Sequence, residues 1–216
     1  MPASLGILTG LAAEARLARP LGHVLAGGGD AAGALASAER LVAEGATALL
    51  SFGLAGGLDP ALAPGAIVVP RAVLAGGRRY PCDPVLLDAL GGASVETLLG
   101  GAAVAATVAQ KVQLRAASGA AAVDLESGAL AEVAARHGLP FAALRAVCDP
   151  AGRDLPDLAL TALDAQGRIG LRRSLASLLA QPRQVPALFA LARDAAIARR
   201  ALVRRVREFR GRLLVG

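Results

Sequence analysis

Residues 122–149 read AVDLESGALAEVAARHGLPFAALRAVCD, and they decide the fold class. The run 121–124 is short and apolar, a strand that leads into a helix over 126–137. His137 and Gly138 close that helix as a last-turn cation and a C′ glycine. Residues 141–147 (FAALRAV) form a second buried strand, which Asp149 and Pro150 stop. A strand, a helix and another strand in succession are the unit of a parallel sheet covered on both faces.

The same alternation extends toward the N-terminus. Residues 4–9 (SLGILT) form a first buried strand, and 11–18 (LAAEARLA) are good helix formers. A second apolar run at 22–26 enters Gly27, Gly28 and Gly29, and Asp30 caps a helix over 31–43. Residues 46–52 are a strand that GLAGGLDP (53–60) breaks. Residues 66–74 are again β-rich, Gly76 and Gly77 turn the chain, and 84–90 suggest a short helix. Residues 96–99 and 102–106 are candidate strands around Gly100 and Gly101, and 108–117 fit a helix. Downstream, 154–166 carry a loop and a short helix, 170–180 are helical, and 186–209 form a long helix. The expectation is an α/β chain: a single-domain three-layer α/β/α fold with a mainly parallel mixed central sheet. The core spans 1–153, and an Arg-rich helical C-terminal extension over 154–216 packs on the same domain.

Composition narrows the class. Apolar residues make up 55% of the 216 and aromatic residues 2%, so the core is built from Ala, Leu and Val, and few rings are present to stack on a flat ligand. Two cysteines make no disulfide framework and fit a reducing cytosol. MPASLGILTG has no basic stretch ahead of an apolar one, and no run approaches the roughly 18 apolar residues of a spanning helix. Cytoplasmic placement is expected. The net charge of +6 is carried by arginine, with Lys111 the only lysine, and it concentrates after Arg168. Coding bias accounts for that balance as well as attraction to an anionic surface does.

In open α/β sheets, ligands sit beyond the carboxyl ends of the strands. Thr9, Gly27 to Asp30, Phe52 to Gly57, Asp124 to Glu126 and Cys148 to Asp149 fall at such ends; the features that stand out are Glu14, one turn into the helix after the first strand, the glycines at 27–29 and 53–57, VDLES at 123–127 and CDP at 148–150. Each has an ordinary reading by itself. Glu14 suits a helix N-terminus, the glycine segments match neither Rossmann nor phosphate-loop spacing, Asp124 suits a helix cap, and Asp149 before Pro150 suits a turn. His23, His137 and the cysteines lack metal-ligand spacing, so no metal is expected.

In combination these features carry a resemblance. ILTGLAAEA at 7–15, FGLAGGLDPALAPGAIVV at 52–69 and AVDLESGALAEVAARHGLPFAALRAVCD at 122–149 run in the order of the nucleoside phosphorylase/nucleosidase superfamily, over about residues 4–150. That superfamily includes purine nucleoside phosphorylases and methylthioadenosine/adenosylhomocysteine nucleosidases. The VDLES stretch, the shortened sheet and the Arg-rich tail look most like its hopanoid-associated phosphorylase branch. There the implied substrate is adenosylhopane, and the products are adenine and a ribosyl or phosphoribosyl hopanoid.

The resemblance implies roles residue by residue. Asp149 matches the acid that protonates the purine ring nitrogen, and Glu126 the carboxylate that holds the ribose hydroxyls. Leu125 matches the apolar residue under the ribose, and Glu14 the glutamate that activates water. Asp124, Gly53, Ala55 and Gly56 complete the substrate-binding set. Gly28, Gly29, Ser51 and Arg16 form the candidate site for phosphate or water. Phosphorolytic relatives carry a hydroxyl residue where this chain has Leu54, which leans toward water. No cofactor is implied, with phosphate the one candidate co-substrate. The region matching the ring of the base pocket, 101–107 (GAAVAAT), has no aromatic residue.

Partners follow from the same reading: a nucleoside or nucleoside-lipid substrate, and a homo-oligomer as is common among relatives. Over 186–209, Leu188, Leu191, Ala195, Leu202, Val206 and Phe209 line one face of a helix, and Arg193, Arg200, Arg204 and Arg207 another. Such a helix either packs on the domain with its arginines solvated or rests at the inner face of a membrane. Nucleic acid is not expected, because the basic helix has no interleaved aromatics. Other readings are a methylthioadenosine/adenosylhomocysteine-type nucleosidase, a purine nucleoside phosphorylase, and an inactive purine- or lipid-binding module on the same scaffold.

Overall fold

A computed structural model describes residues 4–156 and 185–213. The helix expected over 170–180, and most of the loop and short helix expected over 154–166, lie outside the described residues. In chain order the elements are β1 (Leu5–Thr9), α1 (Ala12–Ala18), β2 (His23–Ala26), α2 (Ala31–Ala43), β3 (Ala48–Gly57), β4 (Ile67–Val68) and β5 (Pro70–Ala75). Then come β6 (Arg78–Pro81), α3 (Pro84–Ala89), β7 (Val95–Gly100), α4 (Val108–Ser118), β8 (Ala122–Asp124), α5 (Ser127–His137), β9 (Phe141–Asp149) and α6 (Val185–Leu213).

One mixed sheet organises them, in the order β2-β1-β3-β8-β7-β5-β6, with β9 on β3 and β4 on β9. The β1–β2, β1–β3, β3–β9, β5–β7 and β7–β8 pairs are parallel, and β3–β8, β4–β9 and β5–β6 are antiparallel. Helices α2 and α5 pack together against the sheet, and α1 packs with α6. The core between them is largely aliphatic: Ile7, Leu8, Leu49, Leu50, Leu98, Leu130, Val133 and Leu144 are buried, joined by Phe52, Tyr80, Phe141 and Phe209.

Three elements differ from expectation. First, β3 does not stop at Gly53. It continues to Gly57, because β9 pairs alongside it from Leu49↔Phe141 to Gly56↔Asp149. A long parallel partner outweighs the low strand preference of glycine. Second, 78–81 form a strand that the charged, proline-ended RRYP stretch did not suggest. Gly76 (φ 55°) and Gly77 (φ 73°) make a two-residue hairpin turn, which fixes the register Ala75↔Arg78. Third, 102–106 pair with no strand; Ala103, Val104 and Ala105 line a cavity instead.

Within α6, Ala198, Leu202, Val206 and Phe209 join the main core. Leu191 and Ala195, one to two turns earlier, reach the cavity. The C-terminal helix therefore supplies both core and cavity wall.

Candidate active site

A cavity of about 330 Å3 opens beyond the carboxyl ends of β1, β3, β8 and β9. Glu14, Glu126 and Asp149, far apart in sequence, all line it. Its remaining wall is largely apolar and includes Leu54, Val104, Leu155 and Leu191. A larger hollow of about 530 Å3 lies against α4, but it is lined by no acidic residue, and its single charged residue, Arg115, pairs with Asp59.

Glu14 enters from the first turn of α1. The Leu11 N–H donates to its Oε2 at 2.9 Å, and the Leu54 N–H of β3 donates to its Oε1 at 3.0 Å. The first contact is the backward half of a capping box. The second ties the carboxylate to another element, so both oxygens are oriented while each retains accepting capacity. Gly10 and Gly53 leave the room these acids need. A Cβ on Gly10 would collide with Glu126 Oε1, and one on Gly53 would stand 2.8 Å from the Glu14 carboxyl carbon.

Arg145, in the middle of β9, is fully buried beneath the acids. Its Nε lies 2.6 Å from Asp124 Oδ2 and its Nη1 3.2 Å from Glu126 Oε2. Its Nη2 donates to Ser51 Oγ at 2.5 Å. Ser127 completes the cluster, its hydroxyl contacting Ser51 at 2.9 Å and bonding to Asp124. Burial works against the Arg145 charge, but Asp124, Glu126 and Glu14 outweigh it and hold the guanidinium above its ordinary value. Burial pushes the Glu126 carboxyl up to about 7; Arg145 opposes that shift, while Asp124 and Glu14 add to it. Glu126 therefore changes charge near neutral pH.

Asp149 ends β9 and is 5% exposed. Burial raises its pKa, and the Lys111 ammonium, 2.7 Å from Oδ2, works in the opposite direction. The net shift is upward, as a proton donor near neutral pH requires. Cys148 beside it is a neutral thiol, pushed up to about 12 by burial. Among the described residues, no group of three or more His, Cys, Asp or Glu is arranged to hold a metal ion.

The candidate residues divide into those the cavity gathers and those it does not. Glu14, Gly29, Ala55, Gly56, Asp124, Leu125, Glu126 and Asp149 line it. Asp124 does so with its carboxylate already bound by Arg145 and Ser127. Gly53 stands behind Glu14, and Gly28 is off the wall. Two expectations fail. Arg16 is exposed on the outer side of α1, since Glu14 two residues earlier takes the inward face. Ser51 is fully buried and spends its hydroxyl on Arg145 and Ser127. Neither lines the cavity. Arg145 and Lys111 were missed; the two available signals were a charged residue inside an otherwise apolar strand (FAALRAV) and a lone lysine in an arginine-rich chain.

Three buried carboxylates from distant parts of an α/β chain converge on one strand-end cavity. The family model of the phosphorylase superfamily matches residues 16–180, and the chain belongs to that superfamily. Glu14 lies just ahead of the matched segment, so its place in the site rests on geometry.

Solved structures share the fold. A methylthioadenosine/adenosylhomocysteine nucleosidase from Colwellia psychrerythraea, in complex with adenine, superposes with TM-score 0.66 at 19% identity, over 84% of this chain and 96% of that one. An adenosylhomocysteine nucleosidase from Streptococcus pyogenes, in complex with 5-methylthiotubericidin, gives 0.63 at 22%, over 70% and 86%. A futalosine hydrolase from Helicobacter pylori gives 0.61 at 15%, over 82% and 98%. No curated protein matches the sequence.

Proposed function

We propose that this protein cleaves the N-ribosidic bond of a 5′-substituted adenosine and releases adenine. The observation that carries the reading is the convergence of Glu14, Glu126 and Asp149 on one cavity. Breaking the bond builds positive charge on the sugar and negative charge on the base, and both must be stabilised as they develop. Asp149 protonates the purine ring nitrogen. Glu126, ionised, accepts the ribose hydroxyls and favours the cationic sugar. Glu14, oriented by Leu11 and Leu54, takes the proton of the attacking water. The nucleosidase names of the structural neighbours support the same class of substrate.

Water is favoured over phosphate. Glu14, Asp124 and Glu126 place carboxylates on the cavity wall, Arg145 is already engaged by two of them, and Arg16 stands outside. A phosphate dianion would enter against like charge. Mass analysis of the sugar product with and without phosphate decides this. A free sugar in both conditions is expected, and a sugar phosphate would overturn the hydrolytic reading.

For the 5′ group, a hydrocarbon such as the hopanoid of adenosylhopane is the best reading. Ala103, Val104 and Ala105 leave the wall free of rings, and Leu155, Leu191 and Ala195 make its far side apolar. The outward stripe of α6 supports delivery from a bilayer: Phe189 (73% exposed), Arg193, Ile197, Arg200, Arg204 and Arg207 all face solvent. Among the described residues no helix is long and apolar enough to cross a membrane, so the contact would be peripheral. Comparing adenine release from adenosylhopane and from 5′-methylthioadenosine tests the choice. Preference for the small substrate would favour a methylthioadenosine-type nucleosidase. The enzyme is also expected to work as a homo-oligomer in the cytoplasm, which sedimentation and cell fractionation would check.

A further inference from the structure

The acids assigned to bond cleavage face the cavity; Lys111 does not. It is the one lysine among 23 basic Lys and Arg residues of the chain, and it is fully buried on α4. Thr107 caps that helix by accepting from the Gln110 N–H at 3.2 Å, which places Lys111 in its first turn. The ammonium has three N–H groups and three acceptors: Asp149 Oδ2 at 2.7 Å, the Pro150 carbonyl at 3.0 Å and the Arg153 carbonyl at 2.6 Å. Lysine is almost never fully buried unless paired. An arginine would present a flat fork of five donors here, whereas the three converging acceptors suit a compact ammonium.

We propose that Lys111 is a positioning residue for the general acid: it holds the Oδ2 edge of Asp149 against the 150–153 loop and supplies the fixed positive charge that meets the carboxylate once its proton has left. The inference rests on the role given to Asp149 above. As the C1′–N9 bond breaks, its electron pair goes to the base and the Asp149 proton moves to a purine ring nitrogen. Asp149 becomes a carboxylate beside an ammonium that keeps all its protons. The counter-charge is in place before the reaction, so no reorganisation accompanies the transfer. Among the described residues Lys111 is the one side chain in hydrogen-bonding contact with the Asp149 carboxylate. The other charges acting on it are Arg153, whose guanidinium pairs with Asp194 of α6, and Asp154.

The test replaces Lys111 with methionine, of similar length and no charge. Two substrates are compared: 5′-methylthioadenosine and its N7-methylated form, whose base already carries the positive charge and leaves without a proton. For Lys111→Met we expect kcat on 5′-methylthioadenosine to fall about 100-fold or more. The alkaline limb of its pH profile should move to higher pH, because a cation that lowers the acid's pKa has gone. The N7-methylated substrate should turn over at close to the wild-type rate. Equal losses on both substrates, or an unmoved limb, would overturn the proposal alone. Wild-type enzyme that releases adenine from neither of these substrates nor from adenosylhopane would overturn the nucleosidase reading with it. Should Lys111→Met not fold, the double variant Lys111→Met/Asp149→Asn removes both charges together. It is expected to match Asp149→Asn on 5′-methylthioadenosine, and a far lower rate would show that Lys111 acts by another route.

Discussion

Gly53 is packed against Glu14 so closely that a Cβ would stand 2.8 Å from the carboxylate and 2.7 Å from Arg145 Nη1. Its φ of 154° adds strain for any side chain. Gly53→Ala is therefore expected to push Glu14 out of line while β3 stays paired with β9. A displacement near 1 Å costs about 100-fold in a positioned reaction. The loss should fall on kcat, with KM little changed. Unaltered kcat would show that Glu14 has freedom the packing denies it.

Arg145 joins three elements through Asp124, Glu126 and Ser51. Arg145→Met would leave two buried carboxylates without their cation. Breaking a buried pair in this way costs about 3–5 kcal/mol. The cost should be smaller in mild acid, where protonation relieves the stranded carboxylates. Urea unfolding at pH 5.5 and pH 8 measures both terms; an equal loss at the two pH values would deny the electrostatic account.

The fold was legible because strand–helix alternation places strand ends, where ligands in open α/β sheets gather, and the acids because their order along the chain resembles that of the superfamily. Glu126 and Asp149 fall at such ends, and Glu14 lies in the first turn of the helix that follows β1. Arg145 and Lys111 were not legible in the same way. Arg145 lies mid-strand in FAALRAV, where periodicity predicts a core residue, and only three-dimensional convergence shows four polar neighbours waiting for it. Lys111 lies on a helix whose contact with the 150–153 loop is long-range. The continuation of β3 through its glycines was hidden for a similar reason, since the support comes from β9, about ninety residues away. Arg16 and Ser51 do not line the cavity, because nearness in sequence to a site residue says little about which way a side chain faces.

Glu126 sets a pH signature. Burial raises its pKa from 4.5 to about 7. Between those values the native state holds a proton that the unfolded chain has released, so stability falls as pH rises through that window. Activity runs the other way. Glu126 must be ionised to accept two ribose hydroxyls, so kcat/KM is expected to fall as pH drops below about 7. Glu126→Gln should lose the acid limb and weaken the fall in urea midpoint between pH 4.5 and 7. Retention of the limb in that variant would assign it to another group.

The outer stripe of α6 makes the last prediction. Arg200, Arg204 and Arg207 are exposed and recur at three- and four-residue spacing, which puts them on one face, while Ala198, Leu202 and Val206 hold the opposite face in the core. Because the apolar side is already buried, charge must dominate any attraction to a bilayer, with Phe189 adding a single insertable ring. Each arginine near an anionic surface contributes about 1 kcal/mol, so neutralising three should weaken binding by roughly two orders of magnitude. The triple change Arg200→Gln/Arg204→Gln/Arg207→Gln should therefore stay in the supernatant with phosphatidylglycerol vesicles that pellet the wild type in low salt. At 1 M salt screening shortens to about 3 Å, and the wild type should be released as well. Activity on a small soluble nucleoside should be unchanged in the variant, because none of the three residues lines the cavity. Wild-type protein that ignores anionic vesicles even in low salt would leave the arginines as a solvated face and remove the bilayer from the account of substrate delivery.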